Sequence, residues 1–335
     1  MIRFILHIVF LIVFGSSITM AQDIQFSQFY NVPLYQNPAF AGSSHGTRAT
    51  LHQRIQWPGI DAKYTTSFFS VDHFFKKAKS GVGMYVLKDQ QGIQTLSSTE
   101  IQLVYSYEVG LSNNLYLRGG LQAGYISRYI NYSTLYFPDQ YSNNGFMGVN
   151  TAEPFGNDRR NILDLSGGAI LYSDRFWFGI SAYHLNQPNQ SFYGDYSPLP
   201  IKTNWIGGYK IPFKEKYKDQ QYFITPTVYY KQQGKSDQLD LGVYAQYGYW
   251  IGGIWYRGLL FKNYAPNLPN NESVIFQLGY KYKGLVVCYS YDATVSKLTK
   301  AGTAGSHEIH LSYLWDVPAK KPKPMKRIPC PHFYK

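Results

Sequence analysis

Alternation of apolar and polar residues, repeated along most of the chain, is the feature that most restricts its fold. In residues 100–108 the odd positions are apolar or aromatic and the even ones are mostly polar. Successive side chains on a β-strand point to opposite faces, so such a run has one apolar face and one wet face. About fourteen runs of this kind follow one another between Arg48 and Trp315, with almost no helical periodicity between them. The sequence therefore predicts an all-β fold.

The lengths of these runs favour membrane strands. Many exceed the roughly 5–6 residues usual in soluble proteins and reach the about 9–11 residues that a tilted transmembrane strand needs. The predicted strands cover residues 47–57, 62–75, 80–89, 97–110, 114–128, 161–172, 175–186, 201–212, 221–233, 237–247, 249–258, 272–282, 284–292 and 306–316.

The first 21 residues predict a secretory signal peptide. One arginine precedes an apolar run from Phe4 to Phe14, and small and polar residues follow up to Ala21, so we expect cleavage there and Gln22 as the mature amino terminus. The apolar run is shorter than the roughly 20 residues of a spanning helix. The residue immediately after the predicted cleavage site is not a cysteine, so a lipid anchor is not expected. An exported chain without spanning helices can enter a membrane only as a closed barrel, because lipid leaves no other way to satisfy the backbone.

The connections between the runs predict the same architecture. Short links at 76–79, 111–114, 173–174, 214–220, 248 and 283–284 alternate with links that tend to be longer, at 129–160, 187–200, 259–271 and 293–305. Outer-membrane barrels have short periplasmic turns and longer external loops, whereas a secreted β-sandwich, the alternative fold, has no reason to alternate. The sequence thus predicts an integral, antiparallel barrel of about fourteen strands in the outer membrane, with both termini periplasmic.

The composition agrees with a barrel. Aromatic residues make up 18% of the chain, with 32 Tyr and 6 Trp, and membrane barrels place such residues in girdles at both lipid interfaces. Charged residues make up only 16%, and a mean hydropathy of −0.29 argues against a helical membrane protein. The formal charge of +12 is not taken to indicate a nucleic-acid partner in an exported protein.

Two segments lie outside the predicted barrel of residues 47–317. Residues 22–46 contain Pro33 and Pro38, which would interrupt a strand ladder, and are expected to plug the lumen or to cap the periplasmic mouth. Residues 318–335 contain six Lys or Arg and five Pro, so we expect an extended periplasmic tail. That tail could dock an acidic partner, attract anionic lipid head groups, or remain solvated.

Motifs at both ends of the mature chain resemble those of one family. The N-terminal block comprises Gln22–Tyr30 and Pro33–Gly42, and the C-terminal motifs are Tyr289–Asp292, Gly305–Ile309 and the basic Cys-Pro ending Lys326–Phe333. Together they resemble the PorP/SprF family of outer-membrane proteins of the type IX secretion system. The motifs bracket the whole mature chain in the expected order.

The resemblance implies a non-enzymatic component of secretion. Such a protein would dock periplasmic ring or peptidoglycan-associated components and assist export or surface attachment of a client such as a large adhesin, often in gliding bacteria. Outer-membrane lipids would surround it. The residues that we expect to contact partners are Gln28, Asn37, Pro38, Phe40, Lys323, Arg327 and Cys330.

Other interpretations remain open at this point. The N-terminal block could be a structural lead-in with a turn at Asn37 and Pro38. The long connection at 129–160 could contact a surface client or could be a disordered external loop. The whole protein could be a passive porin, because about fourteen strands can enclose a channel for small solutes.

An enzyme is not expected. His184 and His310 lie on predicted strands, but nothing fixes either one beside a serine and an orienting acid, so they are expected to fill a polar lumen. His307 and Glu308 are adjacent on a strand and should point to opposite faces. No motif for a metal, phosphate or dinucleotide is present, so no cofactor is expected. Cys288 and Cys330 do not form a disulfide framework, although export would permit them to pair.

Overall fold

The computed structural model describes residues 23–61, 63–92, 95–143, 145–213, 221–265, 268–296 and 302–315. Within these residues, fourteen antiparallel strands form one closed barrel. The strands are β1 (Thr47–Gln56), β2 (Tyr64–Phe75), β3 (Ser80–Gln91), β4 (Leu96–Ser112), β5 (Leu115–Ile130), β6 (Arg159–Tyr172), β7 (Phe176–Tyr183), β8 (Lys202–Tyr209), β9 (Gln221–Gln233), β10 (Ser236–Gly248), β11 (Trp250–Ala265), β12 (Leu268–Tyr282), β13 (Leu285–Thr294) and β14 (Ser306–Trp315).

Each strand pairs with its neighbours in sequence, and the ends of the series meet. β14 closes on β1, with Thr47 opposite Trp315 and Gln56 opposite Ser306. Closure leaves no free strand edge, which is what lets a sheet cross lipid. The predicted all-β barrel of about fourteen strands is therefore confirmed. In the ranges that the structure describes, no helix is long and apolar enough to cross a membrane.

The two faces of the strands are as the alternation predicts. On β5, Leu121 is 67% exposed on the outer face, whereas Arg118 is buried on the inner face. Near one end of the barrel the outer surface carries many exposed aromatic side chains, which is the arrangement of a membrane-interface girdle. They are Phe75, Tyr107, Tyr209, Tyr247, Trp250, Tyr282, Tyr313 and Trp315.

The connections distinguish the two ends of the barrel. Among the described residues, the long-loop end carries 131–143, 145–158, 184–201, 295–296 and 302–305. The short-turn end carries the turns after β2, β4, β6, β10 and β12, together with residues 210–213 after β8. The predicted long loop at 259–271 is wrong. β11 continues to Ala265 and β12 begins at Leu268, with register shifts beyond Arg257. Backbone pairing persists there although the sequence no longer alternates between apolar and polar residues, because beyond the lipid band no face has to be apolar.

Several predictions fall on residues that lie outside the described ranges. These are the signal peptide with Gln22, and the basic tail with Lys323, Arg327 and Cys330. The predicted periplasmic position of both termini stays a prediction.

Candidate functional site

A single stretch of chain fills the barrel. Residues 23–46, named the lumenal segment below, begin at the long-loop end, where the Asp23 carboxylate lies 2.7 Å from the Lys202 ammonium. They end at the short-turn end, where the Phe74 amide donates to the Gly46 carbonyl oxygen over 3.2 Å. Between these points nearly every side chain of the segment is buried. The segment therefore crosses the lumen from one mouth to the other.

The segment is built from short turns rather than a strand. Pro33 opens the short helix Pro33–Gln36, and Pro38 opens the 3₁₀ turn Pro38–Phe40. Proline suits the first helical position, where its missing N–H leaves no bond unmade. The Asn37 side chain accepts a hydrogen bond from the Ala39 amide over 2.9 Å and so caps the second turn. The prolines that exclude a strand thus start the turns of the lumenal segment.

Asn37 also ties the segment to the barrel wall. Its side-chain nitrogen donates to the carbonyl oxygens of Ala169 on β6, at 3.2 Å, and Ile180 on β7, at 2.8 Å. A Cβ atom added at Gly168 would overlap the Asn37 amide oxygen. Asn37 therefore occupies a notch that glycine leaves in the wall.

Two further wall glycines admit the segment's backbone. A Cβ atom at Gly120 on β5 would overlap the backbone nitrogen of Ala39, and one at Gly81 on β3 would overlap the carbonyl oxygen of Ala41. Gly81, Gly120 and Gly168 are named the glycine seat below. Because backbone atoms cannot move away as a flexible side chain can, the absence of side chains here is a condition for the segment to fit.

Apolar contacts hold the segment on two sides. On one side Phe29 stacks on Tyr229 with ring centroids 4.9 Å apart, and Tyr30 stacks on Trp255 at 5.4 Å. On the other side Phe26, Val32, Leu34 and Tyr35 pack against inward residues of β2, β3 and β4. The inner wall is therefore not polar throughout. It is aromatic in part because it packs against the lumenal segment.

A buried cluster of charges lies between these apolar contacts. The Arg54 guanidinium donates to Glu308 and, at 3.0 Å, to Asp292. The amides of Ser27 and Gln28 donate to the two Glu308 oxygens at 2.6 and 2.8 Å. Charges removed from water must be paired and hydrogen-bonded. The lumenal segment supplies part of that pairing, so wall and segment depend on each other.

Buried ion pairs also hold the lumenal segment at the short-turn end. Arg48 donates to Asp72 at 2.9 and 3.0 Å, and the Asp72 carboxylate accepts from the Gly42 amide at 2.8 Å. Arg118 lies 2.9 Å from Glu108 and donates to the Ala41 carbonyl oxygen. The carboxyl-terminal part of the segment is thus fixed through its backbone.

The outer latch fixes the other end of the segment and consists of Asp23, His184, Lys202 and Asp164. His184 lies between the two carboxylates, 2.7 Å from Asp23 and 2.8 Å from Asp164. Burial alone raises the pKa of Asp23, but Lys202 and His184 outweigh it and hold that pKa well below its usual value. Burial lowers the pKa of His184, but Asp23 and Asp164 outweigh it and raise that pKa to about 9.

The outer latch should open in alkali. The proton on His184 stabilises the latch fully below its ordinary pKa of about 6.5, and this contribution is lost as the pH rises through about 9. The lowered pKa of Asp23 has the opposite pH dependence. The stability that the Asp23 carboxylate contributes to the latch is present at neutral pH and is lost only in strong acid. We expect amide hydrogen exchange of residues 23–28, corrected for intrinsic exchange, to accelerate between about pH 8 and pH 10.

A His184→Gln variant is the control for this prediction. Its side chain cannot carry the proton, so exchange at residues 23–28 should be faster than in the wild type at neutral pH and should lack the step near pH 9. A wild-type profile without an alkaline step would contradict the role of His184.

The predicted partner-contact residues separate into two groups. Gln28, Asn37, Pro38 and Phe40 are buried inside the barrel, whereas Lys323, Arg327 and Cys330 lie outside the described ranges. Asn37 and Gln28 bind the wall, and Phe40 belongs to the aromatic cluster. The sequence alone did not identify Asp23, Arg54 or the glycine seat. Their only sequence signal is an inward position on a strand or a place in the N-terminal block.

His184 is not arranged to activate a serine. Both ring nitrogens of His184 face carboxylates, and His310 lies beside His52 on the lumenal side, with nitrogens 3.4 Å apart. His307 faces outward and Glu308 inward, as their adjacency predicts. Within the described residues, no group of three or more His, Cys, Asp or Glu could hold a metal ion. Cys288 is a buried thiol on the inner face.

The chain is similar to known proteins in sequence and in structure. A family model described as type IX secretion system membrane protein PorP/SprF matches residues 18–313. A search of curated proteins gave no match. Among solved structures, the toluene transporter TbuX of Ralstonia pickettii is similar at 12% identity and a TM-score of 0.48, over 85% of this chain and 94% of that one. A FadL homologue of Pseudomonas aeruginosa is similar at 11% identity and a TM-score of 0.44, over 84% and 93%. Because these TM-scores are below 0.5, neither the ligands nor the roles of those proteins are assigned to this chain.

Proposed function

Because the chain belongs to the PorP/SprF family of type IX secretion system membrane proteins, we propose that it is a plugged docking barrel of that system. The protein is an integral outer-membrane β-barrel. In this proposal it performs no catalysis. Its short-turn end faces the periplasmic machinery, and its long-loop end faces a secreted or surface-retained client such as a large adhesin.

The filled lumen is the observation that carries this proposal. The lumenal segment contacts strands on every side of the barrel through the aromatic clusters, the charge cluster around Arg54 and the glycine seat. A passive porin needs an open path of water through its lumen. Among the described residues that path is occupied by packed peptide, which favours an anchor for protein contacts over a solute channel.

The long external loop offers a surface for the client. Residues 131–158 carry a small hairpin that pairs Tyr141 with Phe146. Within the same loop the Asp139 carboxylate accepts hydrogen bonds from Thr151 and from the Ala152 amide. Backbone bonding to Ala152 lowers the pKa of Asp139, so the carboxylate keeps its charge. The loop is therefore held by its own bonds.

Large apolar side chains of this loop remain uncovered. Tyr136 is 68% exposed, Met147 66% and Val149 79%. Apolar groups that extend into water above a membrane protein suit contact with another protein. The buried residues of the N-terminal block, by contrast, can meet a partner only if the lumenal segment moves. In the proposal the basic tail provides the contact with periplasmic partners.

Affinity purification from solubilised outer membrane tests the proposed contacts of the long external loop and of the basic tail. We expect the full protein to recover type IX secretion components and a client. A chain truncated after Val317 should lose the periplasmic components roughly tenfold or more. A triple variant with Tyr136, Met147 and Val149 changed to serine should lose the client but keep those components.

Matched variants separate contact from folding. Asn143→Ser with Asn150→Ser changes two exposed polar residues of the same loop and should leave recovery of the client unchanged. Full recovery of both partner classes by the truncated and triple variants would refute the docking roles of tail and loop.

A further inference from the structure

The direction of the lumenal segment separates the amino end of the chain from the start of the barrel. Gly46 and Thr47 lie at the short-turn end, where Thr47 pairs with Trp315. Asp23 lies at the other mouth, because each residue that binds it stands at the long-loop end of its strand. These partners are His184 after β7, Lys202 at the start of β8, and Gln233 at the end of β9.

Gln25 also lies at the long-loop mouth. The Gln25 side chain donates to Glu272 near the start of β12 at 2.7 Å and accepts from Lys231 near the end of β9 at 2.9 Å. From there the segment descends, and Ser27 and Gln28 reach the cluster around Arg54. The order of contacts fixes the path: the amino end lies at the long-loop mouth, and the carboxyl end lies at the short-turn mouth.

A cavity opens beside this amino end. It has a volume of about 380 Å³, and residues 23–25 form part of its lining. Trp57, Tyr64 and Phe192 bring aromatic rings to it, and Glu100 and Arg128 bring a carboxyl and a guanidinium group. Residues 23–25 are thus partly exposed at the long-loop mouth, whereas the rest of the lumenal segment is buried.

We infer that the mature amino terminus is presented on the outside of the cell, at the long-loop mouth of the barrel and beside this cavity. The inference rests on the proposed function for the orientation of the barrel. It changes the expected role of the N-terminal block, because the block's first residues then face the outside of the cell and not the periplasmic machinery. The predicted cleavage after Ala21 places the new terminus one residue before Asp23.

Epitope insertion tests this topology in intact cells. One copy is inserted between Gln22 and Asp23, leaving the signal peptide unchanged. A second, between Val149 and Asn150, marks the long loop, and a third, between Asn113 and Asn114, marks a short turn. All four flanking positions in the loop and turn are exposed. We expect antibody to bind the first two on intact cells and to bind the third only after the outer membrane is permeabilised.

The other outcomes are distinguishable. If antibody reaches the loop epitope on intact cells but the amino-terminal one only after permeabilisation, the inference falls and the proposed orientation stands. If antibody reaches only the turn epitope, both fall. Should the amino-terminal insertion block maturation, Ile24→Cys in a Cys330→Ser background replaces it. That thiol should react on intact cells with a membrane-impermeant maleimide, and a thiol that reacts only after permeabilisation overturns the inference.

Discussion

Replacement of Gly120 by valine is expected to unseat the lumenal segment and to open the barrel to ions. The new side chain would occupy the position of the Ala39 backbone nitrogen, and overpacking of this kind costs about 1–3 kcal/mol even where neighbours can adjust. The segment is held by non-covalent contacts, whereas the strands are held by a continuous ladder, so the segment should yield. In planar bilayers the wild type should pass no steady current, and the variant should pass stepwise currents.

Gly119→Val is the matched control for this experiment. Gly119 is the preceding residue on β5, faces outward, and has no atom within 4 Å of an added Cβ. Its variant should behave as the wild type. A deletion of residues 23–46 gives the upper limit of the current. If Gly120→Val stays closed while the deletion conducts, the glycine seat is not what holds the segment.

Replacement of Arg54 by alanine is expected to cost the most stability of any single change described here. Arg54 is only 2% exposed, and its guanidinium lies between the buried carboxylates of Asp292 and Glu308. Removing one partner of a buried ion pair typically costs about 3–5 kcal/mol, because the remaining charge is left without compensation. We expect the midpoint of urea unfolding in detergent micelles, followed by tryptophan fluorescence, to fall accordingly.

Two other variants calibrate this loss. Lys262→Ala removes an ion pair with Asp237 in which the lysine side chain is 57% exposed, and such pairs contribute about 0–1 kcal/mol. Combining Arg54→Ala with Glu308→Gln removes one of the stranded charges and should recover part of the loss. Equal effects of Arg54→Ala and Lys262→Ala would show that the inner cluster is not desolvated.

The strand series could be read from the sequence because it depends on a local rule. Along β5 and β14, which residues face lipid and which face inward follows from position alone, since a strand alternates with a period of two. The rule fails beyond the lipid band. Residues such as Asn263 and Asn270 resemble a loop in sequence, yet their backbone stays in the ladder between β11 and β12.

The charge cluster and the glycine seat could not be predicted in this way. Ser27 meets Glu308 across 281 positions of sequence, and Asn37 meets Ile180 across 143. An inward arginine or glycine has the same local pattern whether it faces water in a channel or a packed peptide. Only the closed barrel brings such residues to one place.

The sequence by itself determined that this protein forms an outer-membrane barrel, and which face of each strand is apolar and points outward. Each of these follows from composition and from periodicity within a few residues. The tertiary structure decided that the N-terminal block fills the lumen and that its amino end lies at the long-loop mouth. Those facts depend on contacts between residues far apart in sequence, and no local pattern encodes the direction in which a segment crosses a barrel.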